Sequence, residues 1–179
     1  MLISHQVSQS GVDRTNTYQV LHKQGCSLLS AGNFQEALIY FDQAIAIMPN
    51  QADSWYRRGE VLANLTDYQA ALFNFDQVLL LDSQHQQAWA FRAAVLIFLS
   101  RYMEALESCD RALLLDPKDS ETWVMRGVAL QRLNLYKQAY NSFDRALGIE
   151  RKPLLEQVIK PALTLIKQLG RRLSIQLAK

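Results

Sequence analysis

Residues 55–82 read WYRRGEVLANLTDYQAALFNFDQVLLLD. Apolar side chains recur at three- and four-residue spacing through two runs of about 13 residues. Thr66-Asp67 between them supplies turn and capping chemistry. Each run has one apolar face, so the stretch predicts two helices packed against each other. The same pattern follows twice more, opening as WAFRAAVL at Trp89 and as WVMRGVAL at Trp123.

The three tryptophans therefore stand 34 residues apart, and other residues keep that step. Alanines fall at Ala37, Ala71, Ala105 and Ala139, aromatics at Phe34, Tyr68, Tyr102 and Tyr136, and small residues at Gly25, Gly59, Ala93 and Gly127. A fixed period of this length marks stacked units, none of which can bury its apolar face alone. The residues resemble the tetratricopeptide repeat family, with Trp55, Gly59, Tyr68, Ala71 and Phe75 matching its W…G…Y…A…F pattern. A fourth match, Tyr18 to Gln51, has Leu21 in the tryptophan place but keeps Gly25, Ala37, Phe41, Ala44 and Pro49. Departures are Ala93 for glycine, Cys109 for phenylalanine, and Ser83 and Arg151 where the family prefers proline. The resemblance spans residues 18–153 and implies an all-α, right-handed superhelical solenoid of four units that acts as a binding scaffold.

The periodicity predicts helix pairs at 18–31/34–48, 52–65/68–82, 86–99/102–115 and 120–133/136–149. Gly-Asn at 32–33, Ser100 and Asn134 are expected to serve the other turns as Thr-Asp serves at 66–67. The small residues, facing the repeat alanines, should let paired helices approach closely. Organisation is then a flexible segment 1–16, four repeats over 17–152 (18–51, 52–85, 86–119, 120–153), and a C-terminal helix 153–179.

A charged pattern repeats as well. Asp42, Asp76, Asp110 and Asp144 share one place in the second helices, and Arg58, Arg92 and Arg126 share one in the first, where the first repeat has Gln24. Each arginine is expected to pair with a repeat aspartate. The pairing is either inter-repeat (Arg58–Asp42, Arg92–Asp76, Arg126–Asp110) or intra-repeat (Arg58–Asp76, Arg92–Asp110, Arg126–Asp144). Gln24 favours the inter-repeat set, because Asp42 persists although its own repeat lacks the arginine.

A net charge of +2 gives no global case for nucleic acid, and 49% apolar with 20% charged residues fits a globular chain. Cys26 and Cys109 are isolated, which fits a reduced compartment. The first residues have no signal-peptide pattern and no run is long enough to span a bilayer, so a cytoplasmic protein is expected. No catalytic motif, phosphate loop or metal-ligand spacing is present: His5, His22 and His85 lie apart. The expectation is no enzyme, no metal and no cofactor. Cys26, near His22, reads as an ordinary thiol rather than a reactive one.

The family's concave groove is lined by first helices. Residues offset from the core are expected there: Gln19, His22, Lys23, Cys26 and Leu29, then Asp53, Tyr56, Arg57, Glu60, Ala63 and Asn64. The third repeat contributes Gln87, Ala90, Phe91, Ala94, Ile97 and Phe98, and the fourth Glu121, Val124, Met125, Val128, Gln131 and Arg132. One half is polar and the other apolar. Partner binding is expected at Phe91, Phe98, Ile97, Ala94, Val124, Met125 and Val128, with Tyr56, Arg57 and Lys23 setting polarity and register. The clamp by which some relatives hold acidic chaperone termini is not matched, because His22, Cys26, Arg57, Gln87 and Phe91 face its positions.

From residue 151 onward there are seven Lys/Arg and one Glu, against twelve Lys/Arg and sixteen Asp/Glu before it. Leu155, Val158, Ile159, Ala162, Leu165, Ile166, Leu169 and Leu173 form an apolar stripe at helical spacing. This segment is expected to cap the fourth repeat, with Pro161 kinking or dividing it. The sequence thus reads as a non-catalytic adaptor or assembly factor that binds an apolar or amphipathic protein segment and not nucleic acid. A membrane-surface adaptor through the basic tail, or a homo-oligomer, is the alternative.

Overall fold

A computed structural model of the chain describes residues 2–149 and 163–164, with side chains from residue 13 onward. Residues 2–149 form four successive helix pairs: α1 (Leu2–Ser30) and α2 (Phe34–Ile47), α3 (Ala52–Asn64) and α4 (Tyr68–Leu81), α5 (Gln86–Phe98) and α6 (Tyr102–Leu115), α7 (Ser120–Arg132) and α8 (Tyr136–Ala146). Their bounds follow the periodicity closely, with one correction. Of the segment 1–16, expected to be flexible, residues 2–16 are helical and belong to α1, which begins at Leu2. Arg14 anchors that extension by donating to the Ile47 carbonyl at the end of α2, at 2.9 Å. The C-terminal helix expected over 153–179 lies outside the described residues except for Leu163–Thr164, which are helical.

Each first helix ends on a left-handed residue at the same repeat position: Gly32, Thr66, Ser100 and Asn134, with φ of 77°, 63°, 60° and 61°. The next amide then reaches back to a last-turn carbonyl (Asn33 to Leu28, Asp67 to Leu62, Arg101 to Leu96, Leu135 to Leu130, all 2.9 Å). This is the Schellman arrangement, which satisfies carbonyls that a helix end leaves open. Side-chain capping of the second helix is confined to Asp67, which accepts from the Ala70 amide. At α2, α6 and α8 the turn geometry alone starts the helix.

Within a pair, the close approach rests on ring-to-backbone packing. A Cβ placed on Gly59 would lie 2.8 Å from the Phe75 ring, one on Gly25 2.8 Å from Phe41, and one on Gly127 would collide with Phe143. The nearest atoms facing each glycine are therefore those of the ring sixteen residues on, rather than the repeat alanine. In the third repeat the same two places hold Ala93 and Cys109, both fully buried. The two departures from the family pattern compensate each other: the extra methyl stands where the ring has been replaced by a thiol.

Between repeats, two bonds recur. Arg58, Arg92 and Arg126 bind Asp42, Asp76 and Asp110 at 2.6, 2.7 and 2.6 Å, so the inter-repeat pairing holds. Each guanidinium also donates to its own repeat's second helix, to Asn74, Ser108 and Ser142. One arginine therefore ties two second helices together through the first helix between them. Trp55, Trp89 and Trp123 donate their indole N–H to the carbonyls of Pro49, Ser83 and Pro117, at 2.8, 3.0 and 2.9 Å. Ser83 replaces proline without loss here, because the acceptor is the backbone.

Candidate functional site

Successive first helices touch one another (α1 with α3, α3 with α5, α5 with α7), whereas no second helix touches another among the described residues. The stack therefore curves with its first helices inside. Their free faces form the concave surface.

In its first half, that surface is polar and internally bonded. His22 is half-buried, stacked on Tyr18, with Nδ1 2.9 Å from the Ser54 hydroxyl and Nε2 3.5 Å from Cys26 Sγ. Burial lowers the His22 pKa and raises that of Cys26, so a neutral ring and a protonated thiol face each other. This environment is the opposite of one that activates a thiol. Cys109 is more extreme, fully buried and pushed up from its ordinary 9.0 to about 12 by burial. Lys23 and Arg57 are exposed, and Arg57 binds Glu60 at 2.8 Å on its own helix.

Tyr56 departs from its expected place. It was to line the groove, but it is only 6% exposed. Phe91 meets its ring edge-on at 5.6 Å, His85 stacks on it at 5.0 Å, and Phe75 closes the third side at 6.0 Å. Burial, with the Glu60 carboxylate beside it, holds the phenol well above its ordinary pKa. Tyr56 is groove floor, sealed by Phe91 of the neighbouring repeat and by His85 before it. Ala90 is itself buried, again against expectation. His85, the N-cap of α5, had no signal in the sequence beyond its place before a helix start.

The second half is apolar and open. Phe91 is 37% exposed, Val124 44% and Phe98 65%. Ala94, Ile97, Met125 and Val128 are half-buried between them. Phe98 lies face-to-face on Tyr68, with centroids 4.6 Å apart and planes within 3°, so one face is held and the other is free. Tyr68, read from sequence as a repeat-pattern residue, is thus also the platform of a groove residue. At the helix starts, Asp119 accepts from Gln86 at 2.7 Å and from the Thr122 hydroxyl at 2.6 Å, tying α5 to α7 across the groove's end. Burial opposes the Asp119 charge, but these hydrogen bonds outweigh it and lower the pKa.

The tetratricopeptide repeat profiles match residues 28–95 and 120–153. The chain belongs to the tetratricopeptide repeat family. Residues 102–133 also match the protein prenyltransferase alpha subunit repeat, over α6 and α7. No curated protein sequence matches. Among solved structures the chain is similar to MamA, at 18% identity over 73% of this chain and 77% of that one, with a TM-score of 0.71. MamA from Desulfovibrio magneticus RS-1 gives 24% identity over 75% and 76%, with a TM-score of 0.70. YrrB, described as a TPR protein with an unusual peptide-binding site, gives 22% over 70% and 65%, with a TM-score of 0.65. These likenesses show an all-α repeat solenoid, and the tetratricopeptide profiles place it in a family of protein-interaction scaffolds. Among the described residues no helix is long and apolar enough to cross a membrane, and no three His, Cys, Asp or Glu side chains cluster to hold a metal.

Proposed function

We propose that this tetratricopeptide protein is a non-catalytic, cytoplasmic adaptor or assembly factor that captures an apolar or amphipathic helical segment of a partner protein on the α5–α7 half of its groove. The observation that carries this reading is the exposure of Phe91, Phe98 and Val124 on neighbouring first helices, with Ala94, Ile97, Met125 and Val128 between them. A soluble chain gains nothing structurally from leaving such side chains in water, and contiguous patches of a few hundred Å² commonly mark interaction sites. An amphipathic helix laid in a groove anchors through residues three and four apart, which suits two adjacent helices bearing apolar side chains. Arg57 and Lys23, in the polar half, then select the charge at the segment's other end. Tyr56 contributes by holding Phe91 in place rather than by touching the partner.

The test is affinity capture from the source cell extract with wild type beside Phe98→Glu/Val124→Glu, both verified as folded by circular dichroism. A protein held by wild type and lost from the variant supports the reading. Equal capture by both moves the binding surface elsewhere, and vesicle flotation with and without residues 170–179 then addresses the basic tail.

A further inference from the structure

The outer face of the solenoid carries exposed apolar side chains outside the groove. On α4, Phe73 is 54% and Leu80 78% exposed, seven residues apart and so on one side of the helix. On α6, Met103 is 58% and Leu114 75% exposed, and Leu80 and Leu114 occupy the same repeat position. A furrow of about 290 Å³ opens between the α4–α5 turn with the start of α5 and the end of α6, lined by Ser83, Gln84, Trp89, Arg111, Leu114 and Leu115.

This face is also acidic. Helices α2, α4 and α6 hold Glu36, Asp42, Asp76, Glu104, Glu107 and Asp110 against Arg111, and Arg101 at the start of α6 binds Glu104 at 2.6 Å. The arginines that pair with the three repeat aspartates lie beneath them. Their side chains are 18–25% exposed, against 44–56% for the aspartates, so the carboxylates face the solvent. A partner for this surface has to be apolar on one side and basic on the other.

One segment of that chemistry is written in the same chain. Residues 151–179 hold seven Lys/Arg to one Glu and carry an apolar stripe at helical spacing from Leu155 to Leu173. We infer that the basic segment 151–179 of a second copy docks on the acidic outer face, over Phe73, Leu80, Met103 and Leu114. The contact joins two different surfaces, so it builds chains of copies rather than stopping at a symmetric pair. It uses the face opposite the groove and does not depend on the groove's occupant.

Light scattering on the full-length protein over a concentration series tests it. Mass should rise with concentration at low ionic strength and fall toward monomer at high salt, where the attraction is screened. Leu80→Asp/Leu114→Asp alters two exposed side chains, and Arg171→Glu/Arg172→Glu reverses charge in the tail. Each variant should weaken association roughly tenfold or more. An equimolar mixture of the two still offers one intact face and one intact tail, and should form dimers that grow no further. The groove variant Phe98→Glu/Val124→Glu should associate like wild type. A wild type monomeric at every concentration in low salt, an outer-face variant that associates normally, or a mixture that stays monomeric would each overturn the inference. Loss of association in the groove variant would also overturn it and assign the contact to the groove.

Discussion

The second and third repeats are built from helices of the same lengths, 13 and 14 residues, and are held by the same bonds. Each has a left-handed turn residue, an indole bonded back to the preceding turn, and an arginine bridging two second helices. They differ in two ways. In the core, Gly59 with Phe75 becomes Ala93 with Cys109, a pair of changes at touching positions. On the groove, Arg57 and Glu60 become Phe91 and Ala94, and an ion pair gives way to exposed carbon. Inside the stack a departure from the repeat needs a compensating departure. On the groove it does not, which is the freedom a recognition surface requires.

The comparison is tested hardest at Tyr56, where the two repeats meet. Its ring is enclosed by Phe75, His85 and Phe91, so Tyr56→Ala should cost about 3 kcal/mol or more in a denaturant titration, as truncation of a buried aromatic does. A cost near zero would return Tyr56 to the groove surface. The core exchange comes next. Cys109→Phe should lose about 1–3 kcal/mol, because the ring runs into the Ala93 methyl. Adding Ala93→Gly should recover stability, a non-additivity expected only of residues in contact. Simple additivity would show that the two departures are unrelated.

The bridging arginines give the following step. Arg92 bonds Asp76 and Ser108, both at 2.7 Å, and its side chain is 18% exposed. Arg58 has a 3.3 Å bond to Asn74 as its second contact and is 25% exposed. Arg92→Ala should therefore cost about 1–2 kcal/mol and Arg58→Ala less, since hydrogen bonds to charged groups weaken with solvent access. Thermal melts of the two variants side by side decide the order.

What the sequence made legible follows the same division. The helix pairs, the turns and the inter-repeat Arg–Asp bonds could be read because each recurs at 34 residues, so a single hypothesis had to fit several places. Gln24 even separated the two pairing schemes. The compensation of Ala93 by Cys109 was visible only as two unrelated departures, because which residues touch across a pair is not a matter of period. Tyr56 was misplaced for a related reason. Projecting one helix shows which way a side chain leaves it, but not that Phe91 and His85 of the next repeat close over it. The extension of α1 to Leu2 was missed because residues 2–17 lack the apolar periodicity by which the other helices were found.

The smallest effect belongs to Val124, which occupies in the fourth repeat the place that Tyr56 holds in the second. No described ring contact covers it, and it is 44% exposed. Val124→Glu should change stability by no more than about 0.5 kcal/mol, the usual range for a surface site. The same position would then be a structural anchor in one repeat and free in another, according to whether the following repeat supplies a cover. If Val124→Glu instead destabilises the chain as Tyr56→Ala does, something covers Val124 in solution. The open half of the groove would then belong to the stack's own packing and not to a partner.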